Sequence, residues 1–484
     1  MDTLVEPQRL DIQGYLLSAY GHLSCSAFVF LNIQNAADAR SWLREIIPIT
    51  TTARIWPTGP DGRKIKPPTA VNIAFSHPGF HALELPLETL QSFPQEFIEG
   101  EAARSEVLRD IGNNSPEFWE FGGPDTPPLH VILILYAGSA QARDELLDRQ
   151  RRILDRYPGI VEVRTEKGDR PSNEKEQFGF HDGLGQPAID GVSASSVDEK
   201  PNNRIKLGEL VLGYLNGYDM YQPSPNVLTI HDPDGLLPPF PEGGLPNCRD
   251  FGRNGSYLVF RKLEQDVAGF WNFVQQNAGP QSHEMIRLAS KFIGRWPSGT
   301  PLSLSPTYDN PAFSETDEFS FMANDPDGYR CPVGSHIRRA NPRDSLQNDT
   351  PAQSYLTNSR HRIVRRGISF GEPLFPLDML NVGRAPVDVK DDGRSRGEHF
   401  IALNASIARQ FEFIQQTWCN DAEFHALYDI KDPIVGGNDG TGGMAMPAKP
   451  YRKFVPNLPQ FVRVRGGAYF FMPSMPSLRY MARN

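Results

Sequence analysis

CSAFVFLNIQNAADARSWLREII, residues Cys25 to Ile47, decides the fold. Its first nine residues are dominated by strand formers. Asn35 then stands where a helix N-cap belongs, and Trp42, Leu43, Ile46 and Ile47 recur on one helical stripe. A strand running straight into an amphipathic helix is the opening of a β-α-β unit. Further along, AVNIAFS (Ala70–Ser76) and HVILILYA (His130–Ala137) read as strands. Ala140–Tyr157 places Leu146, Leu147 and Ile153 among alternating charges and reads as a helix, and IVEVRT (Ile160–Thr165) reads as a strand. The order β-α-β-β-α-β is the ferredoxin-like pattern.

The second half repeats that order with longer insertions. YLVFRKL (Tyr257–Leu263) reads as a strand, and Val267, Phe270, Trp271 and Val274 follow at helical spacing. Arg362–Phe370 and Phe400–Asn404 read as two strands. Leu403, Ile407, Phe411, Ile414 and Trp418 keep a helical stripe, and FVRVRGGAYFFM (Phe461–Met472) supplies the last strand. The expectation is an α+β protein of two ferredoxin-like domains, each an antiparallel sheet with helices on one face. The N-terminal domain is read as residues 1–221 and the C-terminal domain as 248–484. The Pro/Gly-rich stretch 222–247 joins them, as a loop or as a disordered linker.

The bulk composition excludes several classes. At 39% hydrophobic and 10% aromatic residues the chain can build cores, so global disorder is out. A net charge of -9 lacks the basic footprint of a nucleic-acid binder. The four cysteines, Cys25, Cys248, Cys331 and Cys419, form no CxxC pair, which removes zinc-ribbon and iron–sulfur readings. No apolar run is long enough for a membrane span. The opening MDTLVEPQRLDIQGY carries neither a secretory pattern nor a twin arginine, so the expected location is the cytoplasm, with a secreted mature form as the alternative.

Three segments carry chemistry. In FGFHDGLGQPAIDG (Phe178–Gly191), closely spaced glycines allow backbone to approach a flat ligand while Asp182 points at it; taken alone, the segment also reads as a plain turn. His181, next to Asp182, is expected to face the other way along an extended loop. In CPVGSHIRRANPRD (Cys331–Asp344), His336 follows small residues and precedes Arg338, Arg339 and Arg343. That setting suits an imidazole ligand with room for a macrocycle and cations for its carboxylates, and equally a basic surface turn. In HRIVRRGISFGEP (His361–Pro373), Arg365 and Arg366 fall on a probable strand and point to opposite faces, one inward and one to solvent.

Together these segments resemble the dye-decolourising peroxidases. Phe178–Gly183 looks like their GxxDG signature, Cys331–Arg343 like CPxxxHIRRxNPR, and Arg365–Gly371 like RxGxxFG. Asp11–Gly14 is similar to their DIQG opening and Gly294–Leu302 to GRxxxGxPL; Gln410–Trp418 and Arg465–Arg479 also fit. The motifs run in family order over nearly the whole chain, and the length is similar to the longer, fungal-like members. The resemblance implies two ferredoxin-like domains and a haem b cofactor in the C-terminal half. It also implies oxidation of bulky organic reductants, dyes and phenolics among them, by hydrogen peroxide. It makes His336 the iron ligand, Asp182 the distal carboxylate, Arg365 the distal arginine and Asp432 the carboxylate behind the imidazole. Gly183, Gln186, Arg338 and Phe370, with Arg365, would touch the cofactor. Trp418 and Tyr257 are candidate surface relays for electrons. No nucleic-acid or membrane partner is expected, and a homo-oligomer stays open. A haem-binding or iron-releasing protein on the same fold is the alternative, with a haem-free binding module third.

Overall fold

The computed structural model describes residues 4–192, 202–241 and 244–483. Strand β1 (Cys25–Ile33) leads into helix α1 (Ala36–Ile46), whose first turn is capped by the Asn35 side chain accepting from Asp38 N. Strands β2 (Thr69–Phe75) and β3 (Val131–Ala137), helix α2 (Ala140–Leu154) and strand β4 (Ile160–Asp169) complete the first unit. The second unit comprises β5 (Ser256–Gln265), α3 (Val267–Ala278), the short strands β6 (Val364–Arg365) and β7 (Ile368–Phe370), β8 (Gly397–Asn404) and β9 (Val462–Met472). A short helix, α4 (His336–Ala340), precedes β6.

Both units have the strand order expected of the ferredoxin-like pattern, β2-β3-β1-β4 in the first and β6-β8-β5-β9 in the second. The sequence reading left them as two sheets. In the structure they join through β9 and β2 at Phe471 and Phe75, giving one nine-stranded sheet. The far edges also meet: a Cβ on Gly168 of β4 would lie 2.7 Å from Ile368 of β7. The sheet therefore closes into a barrel.

Closure explains why β1 and β3 are apolar over most of their length rather than alternating. Val29, Leu31, Leu133 and Leu135 face the helices, packing with Trp42, Leu43 and Leu146. The residues between them, Phe28, Phe30, Ile132 and Ile134, face the barrel interior with Leu258, Phe260 and Phe470 of the second unit. Both faces of these strands are buried, so both need apolar side chains.

Three local readings change. Arg362–Phe370 is two short strands interrupted at Arg366 and Gly367, not one. Leu403 belongs to β8, and the stripe that it seemed to open runs from Ile407 through two π-helical segments, Ala408–Glu412 and Ile414–Cys419. Residues 222–247, where described, are anchored: Val227 and Leu237 are buried in the helix-side core.

Candidate active site

The loop carrying Phe178–Gly183 lies in the first half of the sequence but packs on the second unit. Phe178 and Phe180 share a core with Phe270, Trp271 and Phe292, and Trp271 Nε1 donates to Phe178 O at 3.1 Å. This docking brings Asp182 to a cavity of ≈ 300 Å³ that is also lined by His336, Arg365, Arg343 and Arg362.

His336 opens α4. Its Nδ1 donates to Asp432 Oδ2 at 2.9 Å, and the other Asp432 oxygen accepts Ile434 N at 2.8 Å and Val435 N at 3.0 Å. Asp432 is fully buried. Burial alone would raise its carboxyl, but the His336 charge and hydrogen bond, with the two backbone donors, hold it below the ordinary carboxylate range. Among the described residues Nε2 of His336 has no protein partner. The ring is thus oriented by one nitrogen and offers the other.

Asp182 Oδ1 accepts Arg365 Nη1 at 3.1 Å. Arg365 is fixed twice more: Nη2 donates to Leu184 O at 3.0 Å, and its backbone N–H to Gln186 Oε1 at 3.1 Å. Burial would raise the Asp182 carboxyl. The Arg365 charge and the Gly183 N–H outweigh that and hold it below its usual value. Gly183 has φ +84°, a left-handed conformation that suits glycine. His181 is turned to Ser298 O and Glu174, at 3.3 Å from each, yet it lines the same cavity as Asp182 rather than facing away from it.

The cationic wall was only partly legible. Arg295 and Arg343 both pair with one carboxylate, Asp317. Arg362 is buried and donates to Gly185 O, with no carboxylate in ion-pair range among the described residues. Burial and the neighbouring Arg343 push Arg362 down to about 9, and burial pushes Arg295 down to about 10. Two guanidiniums thus share one carboxylate and a third has none among the described residues, on a cavity whose lining also includes the apolar Ile337, Ile414, Val435 and Val462. An anionic group on an apolar plate would relieve that imbalance. A free imidazole nitrogen, apolar walls and a cluster of arginines short of carboxylates are together a donor set that fits a haem with its propionates.

Several expected contacts lie elsewhere. Arg338 turns away and is buried against Phe321, donating to Asp325 O and Cys331 O. It stands two residues after His336 on the helix, about 200° around it, so it cannot share the cavity face. Phe370 stacks on His399 at 4.7 Å instead of lining the cavity. Gly183 and Gln186 line a second, adjoining cavity of ≈ 280 Å³. Arg366, just past β6, does not face solvent, because its side chain turns toward the barrel interior. It donates to Tyr15 O and Leu16 O, close to Tyr136. Neither relay candidate is a surface aromatic. Trp418 is 3% exposed and packs on His361 and Phe413, and Tyr257 is fully buried against Phe97 and Phe471. Sequence reasoning missed Arg362 and Arg295 in the cationic wall, although three arginines within five residues, 362 to 366, were a usable signal.

Fold and site define an α+β barrel enzyme whose cavity pairs a carboxylate-backed imidazole with an arginine–aspartate couple. Comparison with known proteins sharpens this. The family model described as "DyP dimeric alpha+beta barrel domain" matches residues 11–170. "Peroxidase 2" of Mycetinis scorodonius is 29% identical over 97% of this chain and 86% of its own length. "Multifunctional dye peroxidase DyP2" of Amycolatopsis sp. is 28% identical over 93% and 91%. The solved structure of an ancestral D-type dye-decolourising peroxidase superposes with a TM-score of 0.73 at 26% identity, covering 98% of this chain and 99% of that one. The chain thus matches the dye-decolourising peroxidase family model over residues 11–170 and is similar to named dye-decolourising peroxidases along nearly its whole length.

Proposed function

We propose that the protein is a haem b peroxidase that uses hydrogen peroxide to oxidise bulky organic donors, dyes and phenolics, in one-electron steps. The observation that carries this reading is a single cavity lined both by the free nitrogen of His336 and by the Asp182–Arg365 pair. The relatives are named peroxidases and dye-decolourising peroxidases, and the family's members are haem enzymes.

His336 would hold the iron, with Arg362, Arg343 and Arg295 facing the propionates. When bound, the haem supplies the redox chemistry of O–O cleavage. The chain's residues do the rest. Asp432 keeps the His336 ring oriented and raises its basicity. Asp182, ionised down to acidic pH, takes a proton from one oxygen of peroxide and returns it to the other. Arg365 presents its guanidinium cation to the cavity and stabilises negative charge on the departing oxygen. Because a carboxylate rather than an imidazole is the base, activity should persist into acidic solution.

An absorption spectrum of the purified, haem-loaded protein before and after peroxide tests the reading. A histidine-ligated ferric spectrum that changes rapidly with peroxide is expected. A protein that takes up haem without reacting would favour the haem-carrier alternative, which has no use for an Asp182–Arg365 pair.

A further inference from the structure

Glu398 is a further acidic group at this site, and the mechanism above gives it no work. It lies on β8 beside Gly397 and opposite Ser369 of β7. Six residues line both the inner cavity and the adjoining outer one: His181, Asp182, Leu184, Arg365, Glu398 and Phe400. Glu398 therefore stands in the partition between the two, and what exposure it has is to the cavities. Its only hydrogen bond among the described residues is from Ser369 Oγ to Oε2, at 2.9 Å. Oε1 fills the space left by the missing side chain of Gly367, where a Cβ would approach it to 2.6 Å. No lysine or arginine is within ion-pair range of it among the described residues.

The stoichiometry of the reaction leaves such a group a task. Reducing one peroxide to two waters consumes two electrons and two protons. Asp182 moves a proton that peroxide itself brought, so it contributes none. A donor too bulky for the cavity releases its own proton outside. Two protons per turnover must then cross from solvent to the inner cavity.

We propose that Glu398 is the proton donor of the electron-accepting phase: its O–H bond breaks toward the oxygen that peroxide leaves in the inner cavity, and the carboxylate is protonated again from the outer cavity. The inference rests on the peroxidase reading. The charged and titratable groups facing Glu398 are Glu176, Asp182 and His181 from the loop and Arg365 from β6. Burial, then the negative charge of Asp182, push the Glu398 carboxyl well above the ordinary range, against the pull of Ser369 and Arg365. A carboxyl kept neutral in this way has a proton to give. Glu176 is also raised, but it already accepts from Phe178 N, Phe180 N and Gln265 Nε2 and has no such freedom.

Glu398→Gln keeps the shape and the Ser369 contact but cannot release a proton, and Glu398→Asp keeps an acid on a shorter arm. With a phenolic donor, stopped-flow spectroscopy should show the electron-accepting phase slowed about 10-fold or more in E398Q, with a larger solvent isotope effect, and partly restored in E398D. The haem-free parent at about pH 7 should show, in the difference spectrum against E398Q, the infrared carbonyl stretch of one buried protonated carboxyl. An unchanged electron-accepting phase and isotope effect in E398Q, while the parent turns over, overturns the proposal alone, as does absence of that infrared band from the difference spectrum. A parent that takes up haem but does not consume peroxide overturns the peroxidase reading and this inference with it.

Discussion

Arg365 Nη1 and Asp182 Oδ1 are 3.1 Å apart, although 183 positions separate the two residues in the chain. The pair couples a cation on a strand of one ferredoxin-like unit to a carboxylate in the loop leaving the other. Each partner sets the state of the other, which makes their variants asymmetric.

Replacing Arg365 with Leu should slow peroxide consumption roughly 100-fold or more, since a preorganised charge is lost where negative charge develops. It should also move the acid limb of the pH profile upward. The Asp182 carboxyl sits below its usual range because Arg365 opposes the effect of burial. Without Arg365, burial prevails, and the base is lost at a higher pH as the solution is acidified. Asp182→Asn should instead remove the limb, with a penalty that shrinks as pH rises. Stopped-flow rates from about pH 3 to about pH 8 separate the two. An unshifted acid limb in R365L would mean that the pair does not control Asp182.

His336→Ala should abolish tight haem binding. Asp432→Ala should weaken it by roughly 10- to 100-fold, as is typical when the group orienting a ligand imidazole is removed. It should also leave the Ile434 and Val435 N–H groups without an acceptor, costing about 1–3 kcal/mol of stability in the haem-free protein. Haem titration and urea unfolding read these effects separately. Full haem affinity in D432A would remove Asp432 from the site.

Arg362 gives a prediction of opposite signs. Its folded-state value is depressed to about 9, so below that pH the haem-free protein carries an unrelieved buried cation. Stability should rise with pH between about 9 and the ordinary arginine value, where the unfolded chain binds the additional proton. Arg362→Met should therefore stabilise the haem-free protein at neutral pH by roughly 1 kcal/mol or more while weakening haem binding. Thermal unfolding without haem, beside a haem titration, reads both signs. A variant that is less stable without haem would show that Arg362 is held by contacts within the protein.

Arg366→Ala should behave as a core lesion. Tyr15 O and Leu16 O would each lose a donor inside the barrel, costing about 2 kcal/mol or more. The peroxide-consuming rate per folded, haem-loaded molecule should stay within about 3-fold of the parent, well below the loss expected for a distal charge. A 100-fold loss would make Arg366 a distal cation.

The elements of both units were legible because β-branched runs and 3.6-residue stripes survive any tertiary context. Barrel closure was not, since nothing local in β4 or β7 announces which edge it will meet. The site divided along similar lines. His336, Asp182 and Arg365 stood out in the sequence because their types and spacings are rare, and the structure brings them to one cavity, with Asp432 2.9 Å from His336. Arg338 and Phe370 were misplaced because a motif gives identity without direction. One falls on the wrong side of a five-residue helix and the other stacks on His399. Glu398 gave no signal, since a lone acid on a strand reads as solvent-facing until the strand is seen to border a cavity.

Closing the sheet on itself also bears on how the molecule meets other molecules. Strands β1, β3, β5 and β8 are paired on both sides, and β4 lies against β7, so among the described residues the barrel leaves little strand edge on which a foreign peptide could template. Association with further copies, or with a macromolecular reductant, falls to helices and loops. The protein is thereby protected against the edge-to-edge growth that threatens open sheets of comparable size.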